Sequence, residues 1–426
     1  MDDRRACRAF FATVRRRVRA ARHARRALSV SRRGHRGARD SVSAGAFKDR
    51  TAIVGIGQTR FAKSLPETEL QLACIAIRAA LEDAGINPEE VDALGCFTQE
   101  TTPEFEIARN LGFGELHFFS QVAHGGGAIC GAVGQVCSAI ALGIAKVGVV
   151  WRSRKRGDPS KRQWAGVQPR IDDHWKWSRP HGLSRPADEV AMLMRRYMHE
   201  FGATRENLAS IALTQRAYAN ANPDALMREK ALDLDTYLNA RMIAEPLCLF
   251  DNCLESDGAV ALVITSAEYA RDLKQKPVLV HAFSQGMNRE HQLMTDYHGP
   301  DPFHSSSAAT ARNLWRQSDL SPPDIDVAQI YDAFSPLVLF SLENYGFCGR
   351  GEAAAFIASG AIGYGGELPV NTSGGSLSEV YLHGVNLVTE AVRQLRGTAA
   401  NQVPGAASCL VSSCDSTPNG ALVLRN

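Results

Sequence analysis

An α/β fold made of two copies of one strand–helix unit, with an insertion in the first copy, is what this 426-residue sequence predicts. Three observations carry that reading. From Thr51 onward, short apolar runs alternate with segments of helical apolar spacing. Residues 123–133 (AHGGGAICGAV) echo residues 371–385 (NTSGGSLSEVYLHGV), and residues 257–264 (DGAVALVI) echo residues 419–424 (NGALVL). Finally, the two marks lie 133 residues apart in the first half, from 124 to 257, but only 46 apart in the second, from 373 to 419. The excess of 87 residues puts an insertion in the first half, at 151–245, where composition turns basic and Trp-rich. The expected organisation is a basic extension over 1–48, a first half over 49–270 that holds the insertion, and a second half over 271–426.

Each element follows from local pattern. Residues 51–57 (TAIVGIG) form an apolar run suited to a buried strand. Residues 70–84 carry helical spacing and stop before Gly85, a residue suited to a helix C-cap. Residues 91–97 (VDALGCF) and 147–151 (VGVVW) read as strands. Between them, residues 125–146 open with glycines and continue as a helix rich in small side chains, the composition of a helix packed on all sides. Within the insertion, residues 186–201 and 205–221 read as helices. Gly55-Ile56-Gly57 follows apolar residues, but Arg60 occupies the third glycine position of a dinucleotide fingerprint and no helix opens there, so it reads as a strand-end turn.

Composition bounds the function classes. At 45% hydrophobic and 22% charged residues, the chain has ample core for two or three globular units. The most apolar run, residues 139–150, is broken by Lys146, which argues against a membrane span. Ten cysteines form no CxxC pair and no zinc spacing, and no secretory leader precedes them. They read as reduced thiols of a cytoplasmic protein without a metal site. Residues 1–40 contain 14 Arg and 3 Asp, a charge of +11, whereas the remainder carries 34 basic and 42 acidic residues, or −8. The basic tail reads as a disordered or mis-started extension, with a targeting peptide or a nucleic-acid arm as alternatives. The acidic body has no aromatic-interleaved basic patch for nucleic acid.

The duplicated unit, the glycine-led helix, the DGA-led strand and the NTSGG segment together resemble the thiolase superfamily, in its sterol-carrier and lipid-transfer branch, from about Thr51 to the C-terminus. That resemblance implies a five-layered αβαβα fold, a coenzyme A thioester substrate and a homodimer core. Thiolases carry a nucleophilic Cys in a Cys-x-x-Gly context, and the matching stretch here is His124-Gly125-Gly126-Gly127. The NEAF or HDCF motif of the family stands here as Tyr331-Asp332-Ala333-Phe334. The family's catalytic His, ten residues after the Asn of NPSGG, falls on Tyr381 when counted from Asn371. The late Cys-x-Gly matches only Cys414-Asp415-Ser416, without its glycine.

Claisen chemistry needs an activated thiolate and a histidine. With both replaced, the chain resembles instead the aldolases of the lipid-transfer branch, which cleave steroid side-chain CoA thioesters by retro-aldol reaction and carry tyrosines at these two positions. The resemblance implies Tyr331, Tyr381 and His124 as catalytic, with Gly125, Gly126, Asn371, Gly374, Gly375 and His383 binding substrate or oxyanion. No cofactor is expected beyond the coenzyme A of the substrate. The expected products are a ketone and propionyl-CoA, and the expected partner is a separate DUF35 protein (an OB-type fold) in a heterotetramer, without nucleic acid or membrane. Two alternatives stand beside this: acyl transfer through Cys414 or another thiol, and a non-catalytic lipid- or CoA-binding protein. By residue type alone, Asp332 reads as a cap and Cys348 as a buried small side chain. The cluster Arg152, Arg154, Lys155, Arg156, Lys161 and Arg162 reads as a solvated basic loop or a contact for CoA phosphates.

Overall fold

A computed structural model describes residues 47–97, 100–123, 128–157, 173–289, 299–413 and 419–426. Its first half contributes strands β1 (Thr51–Gln58), β2 (Ala93–Phe97), β3 (Phe118–Val122), β4 (Val147–Arg154) and β7 (Gly258–Ser266). The second contributes β8 (Val278–Gly286), β9 (Val327–Ile330), β10 (Ser408–Ser412) and β11 (Asn419–Arg425). Among the described residues they form one nine-stranded sheet in the order β3-β2-β4-β7-β1-β8-β11-β10-β9.

The two halves repeat one topology. β1 runs antiparallel to β7, β7 antiparallel to β4, and β4 and β3 flank β2 in parallel. In the second half β8 is antiparallel to β11, β11 antiparallel to β10, β10 parallel to β9, and β9 meets Val370 in a parallel bridge. So β7 and β11, the DGA-led and NGA-led strands, occupy equivalent places, as their sequence echo predicts. The halves join where β1 pairs with β8 through Ala52 and Ile53.

Helices α1 (Glu69–Ala84) and α2 (Glu104–Leu111) belong to the first half, and α1 covers one face of β1, β7 and β4. Helix α3 (Ile129–Ala141) touches strands of both halves. Between β4 and β7 the chain makes an excursion that holds α4 (Pro186–Phe201), α5 (Arg205–Ala221), α6 (Leu234–Leu238) and the short pair β5 (Met242–Ala244) and β6 (Leu247–Cys248). In the second half α7 (Ser306–Gln317) covers β8 and β11, followed by α8 (Ser335–Asn344), α9 (Ala353–Ala358), α10 (Gly375–Ser378) and α11 (Val385–Arg396). Helix α11, like α3, packs on strands of both halves, and the two share one buried apolar cluster. The layers are therefore helix α1, the first half of the sheet, the central helices α3 and α11, the second half of the sheet and helix α7, the five-layer order expected. Every residue of α3 but Gln135, Ser138 and Ala141 is buried, which accounts for its small side chains.

Gly55 and Gly57 correct one reading of the sequence. They lie inside β1 rather than in a turn at its end. A Cβ on Gly57 would stand 2.2 Å from the Ala76 carbonyl oxygen, and one on Gly55 2.1 Å from that of Ala80. Both glycines exist to let α1 approach the strand. α1 itself is closed by a capping box of Thr68 and Gln71 and by Gly85 in the left-handed region, φ 75°. No helix among the described residues is long and apolar enough to cross a membrane.

The close strand–helix contact makes a prediction. Gly57→Ala must push α1 off β1, and should lower stability by about 1–3 kcal/mol, the usual range for overpacking. A urea midpoint that falls at unchanged slope is the expected result, and an unchanged midpoint would contradict this account.

Candidate active site

The tyrosines of the two motifs meet where the parallel strands of the second half end. Tyr331 follows β9, and its N–H donates to the Ser412 carbonyl at the end of β10 (3.0 Å). On the other side, the buried Asn371 amide grips the last residue of β9: it donates to the Ile330 carbonyl (2.7 Å) and accepts from the Ile330 N–H (2.7 Å). Asn371 adopts φ 53°, a conformation Asn tolerates better than most residues. The chain then turns through Gly374, φ 109°, into α10, whose first N–H groups meet Asp332. The Asp332 carboxylate accepts from Ser376 N (2.8 Å) and Leu377 N (3.1 Å), so it is a cap, but of α10 and not of the helix that follows its own strand. A Cβ on Gly375 would stand 2.3 Å from that carboxylate, so only glycine fits there.

These anchors bring Tyr381 to Tyr331 across 50 residues of chain. Their rings lie nearly parallel, 23° apart with centroids 6.4 Å distant, and both are buried. The Tyr381 N–H donates to Ser256 Oγ (3.1 Å), which ties the segment to the strand-entry loop of β7. Burial pushes the Tyr381 hydroxyl up to about 12, with nearby Cys253 adding to the shift. The charge of Arg156, the hydrogen bond between Tyr381 and Tyr331, and the charge of Arg154 pull it down. Desolvation wins, so Tyr381 is a neutral phenol at physiological pH.

The arginines overturn the reading of a solvated basic loop. Arg152 and Arg156 are both fully buried, and the Arg156 guanidinium carbon lies 5.2 Å from the centre of the Tyr381 ring. Lys161 and Arg162 lie outside the described residues. The buried Asp257 of the DGA segment sets this geometry. Its carboxylate accepts from Arg156 N (2.5 Å), Gly157 N (2.7 Å) and Leu65 N (2.9 Å). Arg152 lies over Phe97 at 4.5 Å, and its Nε and Nη2 point at His383 Nδ1 (3.2 and 3.0 Å). His383, buried and at φ 55°, meets Tyr381 edge to face with centroids 4.9 Å apart.

The site thus joins Tyr331, Tyr381, His383, Asn371, Gly374 and Gly375 of the residues singled out in the sequence. His124, Gly125, Gly126 and Cys414 lie outside the described residues. Arg152, Arg156, Glu100, Ser256 and Asp257 complete the surroundings and were not picked out as site residues. One signal was legible: Arg152, Arg154 and Arg156 recur with the period of a strand, so the first two point to one face of β4.

Cysteine chemistry finds no support here. Cys130 and Cys137 are buried along α3, and burial pushes each thiol up to about 12. The half-buried Cys253 and Cys348 are also raised to about 12, Cys96 to about 12 and Cys248 to about 11. Cys74 and Cys409 move upward as well. None of the eight described cysteines is an activated thiolate. Among the described residues no group of three His, Cys, Asp or Glu is placed to hold a metal ion.

Comparison with known proteins now bears on this geometry. Residues 287–424 match the family model of the thiolase C-terminal domain-like proteins. The chain is 45% identical to the 17-hydroxy-3-oxo-4-pregnene-20-carboxyl-CoA lyase of Mycobacterium tuberculosis, over 88% of this chain and 99% of that one. It belongs to the thiolase-fold aldolases. A second such aldolase, the steroid side-chain-cleaving enzyme of Thermomonospora curvata, is 44% identical over 88% of this chain and 97% of its own. The solved Ltp2-ChsH2(DUF35) aldolase superposes with a TM-score of 0.85 at 44% identity, covering 89% of this chain and 99% of that one. As a thiolase-fold aldolase the chain is a carbon–carbon lyase.

Asp332 makes the site pH-sensitive. Burial pushes its carboxyl up to about 6, against the pull of its hydrogen bonds from Ser376 and Leu377. An unfolded aspartate titrates near 3.9, so between about pH 4 and 6 the folded protein holds a proton that the unfolded chain has lost. Stability from this group therefore falls as pH rises through that window, by about 2–3 kcal/mol in all. Asp332→Asn should flatten that stretch of the curve of urea midpoint against pH. An unaltered slope in the variant would refute the assignment.

Proposed function

We propose that this enzyme cleaves a 17-hydroxy steroid side-chain CoA thioester by retro-aldol reaction, giving a 17-ketosteroid and propionyl-CoA, with Tyr331 and Tyr381 moving the protons. The observation that carries the proposal is the buried, stacked tyrosine pair in a site whose described thiols are all raised. By their names, one relative acts on a 17-hydroxy steroid carboxyl-CoA and the other cleaves steroid side chains, and the sequence identity supports carrying that substrate over.

The reaction needs no covalent nucleophile. As the Cα–Cβ bond breaks and its electrons enter the thioester as an enolate, one phenol takes the β-hydroxyl proton while passing its own proton to the second phenol, and the second gives its proton to Cα. The two hydroxyls interact, so each tyrosine ends the turnover as the neutral phenol it began. With the Tyr381 hydroxyl pushed up to about 12, this relay is concerted with bond breaking rather than preceded by ionisation. His383 lies beside the pair, and the His124, Gly125 and Gly126 stretch ahead of α3 is assigned the thioester oxygen, as the resemblance implies. Asn371, Gly374 and Gly375 hold the turn that carries Tyr381.

The proposal includes a DUF35 partner, in keeping with the composition of the solved Ltp2-ChsH2(DUF35) aldolase, and a homodimer core in the cytoplasm. β3 is the outer strand of the first half and exposes Phe119, which suits pairing with a second copy. No cofactor is assigned.

The test is turnover by the chain co-expressed with a DUF35 protein and given the 17-hydroxy steroid thioester. Release of ketosteroid and propionyl-CoA is expected, with Tyr381→Phe lowering kcat by about 10²–10⁴-fold, the usual worth of a positioned acid or base. Full activity in a folded Tyr381→Phe variant would overturn the proton-transfer role.

A further inference from the structure

His383 is held more tightly than its position next to a reacting tyrosine requires. It is a non-glycine residue at φ 55°, a conformation kept only where surroundings enforce it. Its ring is clamped edge to face between Tyr381 (4.9 Å) and Phe97 (5.6 Å). Two guanidinium nitrogens of Arg152 converge on Nδ1, at 3.0 and 3.2 Å. A guanidinium has only donors and does not deprotonate in proteins, so Nδ1 is an acceptor. The imidazole is then neutral, with its proton on Nε2. That nitrogen makes no hydrogen bond to any described residue.

Arg152 is itself held in place. Its Nη1 donates to Glu100 Oε2 (3.3 Å), and neither side chain is accessible to solvent. The Glu100 carboxylate is in turn fixed by its own donors. It accepts from Ser153 N (2.8 Å), Ser153 Oγ (3.0 Å), Thr101 N (3.0 Å), Thr102 N (3.2 Å) and Thr102 Oγ1 (2.8 Å). So many donors keep the carboxylate where Arg152 needs it.

We infer that Glu100 and Arg152 are positioning residues that hold His383 as a neutral imidazole with its proton on Nε2, and that this N–H is a fixed donor to the thioester oxygen as the enolate forms. The second half of the inference rests on the aldolase reading above, while the first does not. A neutral imidazole N–H is a weak acid. It stabilises the oxyanion without giving up its proton, and leaves protonation of Cα to a tyrosine. An imidazolium would protonate the enolate oxygen instead.

The charges around the ring point the same way. Burial lowers the His383 pKa well below its ordinary value, and Arg152, Arg156 and Arg154, all from β4 and the residues just after it, lower it further. On its own segment it faces Tyr381, and from β2 it faces Phe97. Glu100 reaches it only through Arg152.

The test is nitrogen NMR of the whole chain, with its partner, labelled with [15N]histidine. The His383 signals are assigned by their loss in His383→Asn, which keeps a residue tolerant of positive φ. The expected result is a protonated Nε2 and a bare Nδ1 that do not titrate wherever the protein stays folded. A proton on Nδ1, or titration in the ordinary range, would overturn the inference. This reading needs no variant of Arg152 and no substrate, so it decides the state of the ring even if the steroid thioester is not cleaved.

Arg152→Gln should then let the ring titrate and add an acid limb to the pH profile of kcat, with a loss of about 10²-fold, the scale of one oxyanion donor. Arg152→Lys, which keeps a cationic donor, should recover part of the rate and remove the limb. If Arg152→Gln only lowers stability, with ring state and pH profile unchanged, Arg152 is structural and the inference fails.

Discussion

The grip of the Asn371 amide on both backbone groups of Ile330 is the interaction on which the site depends. It joins the end of β9 to a turn 41 residues later in the chain, at a point where no strand pairing does so beyond the bridge at Val370. Both partners are buried, so each unmade bond would leave a desolvated polar group, at about 1–3 kcal/mol apiece. Asp332 repeats the stitch one step further along by capping α10. Two local contacts thereby convert a distant pair of tyrosines into one stacked unit. Neither contact touches the reacting atoms.

Burial then sets the chemistry. In water the site's phenol, carboxyl and imidazole would all sit near their ordinary values; here desolvation is the largest cause of shift for Tyr381, Asp332 and His383 alike. It disfavours every charged form, which leaves the Tyr381 phenol and the His383 imidazole neutral. The exceptions are the guanidiniums, which stay charged when buried. A unit charge about 5 Å from a tyrosinate is worth about 3 kcal/mol at an effective dielectric constant of about 20. That is too little to ionise Tyr381 in the resting site, but enough to ease its transient charge. The same desolvation raises every described thiol, so none of them is an activated nucleophile for an acyl-enzyme.

The duplicated topology explains why the site draws on both halves. β4 and β10 hold equivalent places, and so do β2 and β9. Arg152 stands near the end of β4 and Phe97 at the end of β2, while Tyr331 follows β9 and Ser412 ends β10. Ligand sites of open α/β sheets lie beyond the carboxyl ends of their strands, and here both copies turn those ends to one place. The excursion between β4 and β7 is the asymmetric part, and it returns through Ser256 and Asp257 to hold Tyr381 and Arg156.

Much of this was legible in the sequence because it is written in local pattern. Apolar periodicity marked α1, α4 and α5 almost to the residue, and the paired echoes of AHGGG with NTSGG and DGA with NGA announced the duplication. The resemblance to thiolase motifs picked out Tyr331, Tyr381 and Asn371, because the YDAF and NTSGG segments stand in place of the family's own. What the sequence could not supply was the environment of charges. A run of arginines looks the same whether it is solvated or buried, and only the carboxylates of Asp257 and Glu100, 101 and 52 residues away in the chain, decide which. Likewise, two glycines in a strand resemble a turn until the helix that needs their missing Cβ atoms is in place. By itself the sequence determined the fold and, through its thiolase-like motifs, pointed to Tyr331 and Tyr381. Tertiary structure alone decided the protonation of Tyr381, because a pKa is set by desolvation and by charges that no local spacing encodes.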